Sequence, residues 1–83
     1  MTEDELRASL SRTLHLEEQP EVDWLAVDLL CGETIRRLVT EPSPDYPHDV
    51  VFRFLDDADV RQKDAKYASV QRDRLRDWLN SAD

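Results

Sequence analysis

A chain of 83 residues has room for one hydrophobic core, so a single domain spanning 1–83 is expected. With 36% charged and 40% hydrophobic residues and one glycine, it is neither a disordered tail nor a low-complexity linker. Nineteen acids against eleven Lys and Arg leave a net charge of −8, which argues against binding along a phosphate backbone, and one cysteine excludes an internal disulfide framework.

The first residues, Met1-Thr2-Glu3-Asp4-Glu5, lack the basic start and apolar stretch of a secretory signal. Trp24-Leu25-Ala26-Val27 is the longest apolar run before a charge, far short of the roughly 20 residues that span a bilayer. A cytoplasmic protein with no membrane partner is expected, and a lone cysteine suits that reducing compartment.

Thr2 and Glu5 have the spacing of a capping box, and Leu6, Leu10 and Leu14 then recur every four residues. A first helix is predicted over about 3–15, followed by Pro20 in the first turn of the next. The second helix, predicted over about 21–41, carries Trp24, Val27, Cys31, Ile35 and Leu38 on one face. Val22, Leu25, Ala26 and Leu29 lie on the opposite side, so the first half of this helix is apolar nearly all round. Such a helix is the central element of the fold, or a partner chain covers it.

Pro42, Pro44 and Pro47 end the second helix and force an extended connection, after which Asp49 is a candidate cap. Val50-Val51-Phe52-Arg53-Phe54-Leu55 reads either as a strand or as a helix with Val51, Phe54, Leu55 and Ala58 on one face. Helix is preferred, because no second strand is available to pair with it and a lone strand leaves its backbone groups unsatisfied. A polar break over Asp56-Asp57-Ala58-Asp59 leads to Asp64, a candidate cap for a last helix over about 65–80. Tyr67, Val70, Leu75, Trp78 and Leu79 are its predicted buried side. The expected fold is thus a small all-α bundle of about four helices with helix 2 at its centre.

The residues that could carry chemistry do not assemble into a site. Asp56, Asp57, Asp59 and Asp64 suggest a cation loop, but a calcium loop begun at Asp57 would place Arg61, Gln62 and Ala68 where an oxygen ligand, a glycine and a glutamate are needed. His15, Cys31 and His48 have no paired zinc spacing, and Cys31 sits on an apolar face. His48, Asp49 and Ser43 supply the residue types of a triad without its geometry. Asp28 interrupts an apolar run and, if buried, would need Arg53 or Arg74 beside it. Arg61, Lys63, Lys66, Arg72, Arg74 and Arg76 could form a nucleic-acid-reading helix, but Asp64, Asp73 and Asp77 interleave with them, and the pairs Asp73–Arg76 and Arg74–Asp77 explain the pattern locally. No catalytic residue, cofactor, metal or nucleic acid is therefore expected.

Two functions remain. One is a non-enzymatic protein-interaction or regulatory module, most simply a homodimer, with Val22, Leu25 and Leu29 as its interface. The other is an acidic inhibitor or immunity-type protein that covers a basic site on a nuclease or DNA-binding partner. Its support is the ten acids and four bases of residues 1–41.

Overall fold

The computed structural model describes residues 1–81. These form five helices and no strand: α1 (Glu3–Glu17), α2 (Trp24–Thr40), α3 (His48–Asp56), α4 (Ala58–Lys63) and α5 (Ala65–Asn80). The bundle is all-α as expected, with one helix more than the periodicity suggested. α2 is central, packing against α1, α3 and α4, while α5 lies against α3 and α4.

Local chemistry sets most of the boundaries. The capping box forms: Glu5 N–H donates to Thr2 Oγ1 (3.1 Å) and Thr2 N–H donates to Glu5 Oε1 (2.8 Å). α2 starts at Trp24 rather than near Glu21, because the Asp23 carboxylate accepts from Ala26 N–H and leaves Pro20 outside the helix. α3 begins at His48 with Pro47 in the capping position, so Asp49 lies in its first turn and caps nothing. Asp64 does cap α5, accepting from the N–H groups of Lys66 and Tyr67.

The segment around 50–55 is helical, and Val51, Phe54, Leu55 and Ala58 are all buried. The predicted polar break is itself a helix for most of its length. Asp57 ends α3 and opens α4, whose Ala58 and Arg61 turn inward. In α5 the buried side is Ala68, Gln71 and Leu75; Val70, expected inside, is 47% exposed.

The core joins Leu6, Leu10 and Leu14 of α1 to Val27, Cys31 and Leu38 of α2, to the apolar side of α3, and to Leu75. Its buried hydroxyls are satisfied locally: Thr13 donates to the Ser9 carbonyl (3.0 Å) and Thr34 to that of Leu30 (2.8 Å). Arg7 closes the bundle from α1. Its guanidinium stacks 4.2 Å from the Trp78 ring centre and donates to the carbonyls of Trp78 and Leu79 in the last turn of α5.

A second clamp links α1 to the end of α2. Arg37 donates to Glu5 Oε2 (3.1 Å) and to both oxygens of Glu41. The Thr2 backbone N–H, and then Arg37, draw the Glu5 carboxyl down from 4.5 to about 2, and Arg37 lowers that of Glu41. Both groups ionise more readily folded than unfolded, so the unfolded chain binds protons first on acidification. Their contribution should be complete above about pH 4.5 and vanish as pH falls toward 2. Denaturant titrations across that range should show this slope, and Glu5→Gln should flatten it; an unchanged slope in the variant would assign the acid sensitivity elsewhere.

Candidate interaction surface

Among the described residues the outward face of α2 carries the most exposed large apolar side chains. Leu25, Leu29 and Val39 are 70%, 66% and 69% exposed. At 100° per residue they fall on one stripe with Gly32 and Arg36, along a side of the helix turned away from Val27, Cys31, Thr34 and Leu38. A methyl group built on Gly32 would meet nothing within 4 Å, so no neighbouring element approaches the helix there. Asp28 and Glu33 flank the stripe and are exposed. Asp28 therefore needs no buried counter-ion, and neither Arg53 nor Arg74 pairs with it. Val22 lies before the start of α2 and is half-buried against the core, apart from the two exposed leucines.

Several of the other candidate residues are employed in holding the fold. Asp57 accepts from the Tyr67 hydroxyl (2.6 Å) and from Gln71 Nε2 (3.1 Å), and Asp64 is a helix cap. Among the described residues no group of three or more His, Cys, Asp or Glu side chains is arranged to hold a metal ion. Burial pushes the Cys31 thiol up to about 11, which keeps it protonated and unreactive. His48 stacks on Phe52, with ring centres 4.6 Å apart, and on Tyr46. A recess of about 570 Å³ beside it is lined by Asp49, Arg53, Asp56 and Asp57 and is wide open.

Three of the six basic residues singled out in the last third are committed as well. Arg72 pairs with Glu17 (3.0 Å), and Arg76 with Glu18 and Asp73. Arg61 is fully buried in a bidentate pair with Glu17, its Nη2 2.8 Å from Oε2. It also donates to Gln71 Oε1 (3.0 Å) and the Phe54 carbonyl, and lies 3.7 Å from the Phe54 ring centre. This network was not anticipated from the sequence, although a signal existed. Glu17 occupies the next position of the Leu6–Leu10–Leu14 stripe, and Arg61 the next position after Val51, Phe54 and Ala58. Opposite charges at the ends of two apolar stripes are candidates for meeting inside. No buried side-chain nitrogen or oxygen lacks a partner among the described residues, so the network presents no unfilled valence to a ligand.

No helix among the described residues is long and apolar enough to cross a membrane. Comparison of the chain with protein-family models, with curated protein sequences and with solved structures finds no match.

Proposed function

We propose that this protein is a small non-enzymatic interaction module that works through the outward face of α2, with a second copy of itself as the simplest partner. The observation that carries the reading is the contrast within one chain. Leu6, Leu10, Val27, Val51, Phe54 and Leu75 are completely buried, while Leu25, Leu29 and Val39 stand in water on a single helical stripe. Burying such a side chain is worth about 1.5–3 kcal/mol, which a partner helix would recover. The inert Cys31 thiol, and the stacking of His48 on Tyr46 and Phe52 at the edge of an open recess, favour binding over catalysis. A protonated, buried thiol also suits the cytoplasm. Nucleic acid is disfavoured because Arg61, Arg72 and Arg76 are bound within the protomer.

The alternative of an acidic inhibitor draws less support. Glu3, Glu5, Glu17, Glu18 and Glu41 are each paired with arginine inside the protomer, which removes half of the acids of residues 1–41 from any uncompensated patch.

Sedimentation equilibrium tests the reading. The native chain should reach twice its 9.7 kDa as concentration rises. Leu25→Glu/Leu29→Glu should remain a monomer with its helical circular dichroism intact, and at concentrations where the native chain is also monomeric its unfolding free energy should differ by no more than about 0.5 kcal/mol per exposed site. A native chain that stays at 9.7 kDa at high concentration would remove the second copy as partner.

A further inference from the structure

Two unlike charges on the exposed face of α2, Asp28 and Arg36, stand at equal distances from its centre. Leu25, Leu29, Gly32, Arg36 and Val39 follow one another at spacings of four, three, four and three, the rhythm of a two-helix seam. Gly32, the only glycine of the chain, stands in the middle, with open space where a side chain would be. Asp28 lies four residues before it and Arg36 four after; Leu25 lies seven before and Val39 seven after. Asp28 and Arg36 are both exposed, and neither forms an ion pair among the described residues.

We infer that two copies pack α2 against α2 in antiparallel orientation, around a two-fold axis beside Gly32; this rests on the reading of that face as a contact surface. Turning the helix end over end about Gly32 sets Leu25 against the partner's Val39 and brings Asp28 to the height of the partner's Arg36. The symmetry makes each contact twice. Without a side chain at Gly32 the two backbones can cross closely, near the lower end of the roughly 8–10 Å range of helix-pair separations. A parallel, in-register pair fares worse. It would put Arg36 against the partner's Arg36 in the seam, and Asp28 on its flank against the partner's Glu33. The antiparallel arrangement brings Asp28 and the partner's Arg36 to one height and keeps the two Arg36 side chains apart, at the cost of setting the two Glu33 side chains near each other on one flank, and it closes at two copies because each uses the same patch.

Cysteine cross-linking reads the orientation directly. Leu25→Cys and Val39→Cys are prepared separately and treated with a short bis-maleimide, alone and mixed; buried Cys31, its thiol pushed up to about 11, does not compete. Antiparallel packing gives cross-linked dimer in the mixture and little in either variant alone. Cross-linking within each separate variant would overturn the antiparallel pair while leaving α2 as the contact surface. A native dimer that cross-links in none of the three samples would move the interface off this face, and a native monomer would end both readings. Charge exchange is a second arm. Asp28→Arg and Arg36→Asp should each weaken self-association about tenfold, and the double exchange should restore it; equal losses that add in the double variant would overturn the pairing.

Discussion

Arg61→Ala should lower the stability of the fold by about 3–5 kcal/mol, the usual cost of removing one partner from a buried ion pair. The Arg61 and Glu17 side chains are both completely buried, so neither charge has water to fall back on. Losing the guanidinium leaves Glu17 with Arg72 alone and strips Gln71 Oε1 and the Phe54 carbonyl of their donor. A domain of this length has roughly 0.05–0.15 kcal/mol of net stability per residue, so the loss is a large share of the whole. Replacing both charges, as in Glu17→Met/Arg61→Met, should recover much of it, because a buried pair repays little more than its own desolvation. Arg72, 20% exposed, can then turn to water. Urea titrations decide the matter. A loss below about 1 kcal/mol in the single variant would contradict the buried pair.

Phe54→Ala should cost about 3–5 kcal/mol, and Phe54→Leu markedly less. The ring is completely buried at the heart of α3, and it also supports the Arg61 guanidinium from below. Truncation removes apolar area, leaves a cavity, and takes away the aromatic face that partners the cation. The effects of Phe54→Ala and Arg61→Ala should therefore not add, since the second substitution removes an interaction that the first has already broken. A full double-mutant cycle checks this. A Phe54→Ala loss under 1.5 kcal/mol, or strict additivity with Arg61→Ala, would show that ring and cation are energetically independent.

How much was legible beforehand depended on the size and polarity of what was buried. Leucines recurring every four residues located α1, and counting the apolar sides of α2 identified Leu25 and Leu29 as residues that the rest of the chain would struggle to cover; both are exposed. Elimination settled α3, because a strand needs a neighbour and none was available. α4 escaped notice because four aspartates within 56–64 suggest a loop, while its inward residues are a small alanine and a charged arginine. The buried side of α5 was legible at Leu75, Trp78 and Leu79 but not throughout, for a related reason. Large apolar residues mark a core face by eye, yet here Ala68 and Gln71 are covered while Val70 faces solvent. Val39, Asp28 and Arg36 gain their significance only once the inward side of α2 is known. A charge inside a protein leaves no periodic trace of its own; it shows only as the place where an apolar stripe ends in a residue of opposite sign to another such residue.

Glu17 and Arg61 are 44 positions apart along the chain, and the hydrogen bonds between them fasten the end of α1 to the shortest helix of the bundle. A helix of six residues has no standing by itself in water, because the cost of its first turn is never recovered over so short a length. Here its backbone is bolted through one guanidinium to α1, α3 and α5 together. Opening α4 alone would strand a carboxylate in the interior, so fraying is suppressed where it would otherwise be easiest. The hydrogen-bonded amides of this smallest element, such as that of Arg61, should consequently be protected from exchange with solvent far longer than six residues alone could achieve.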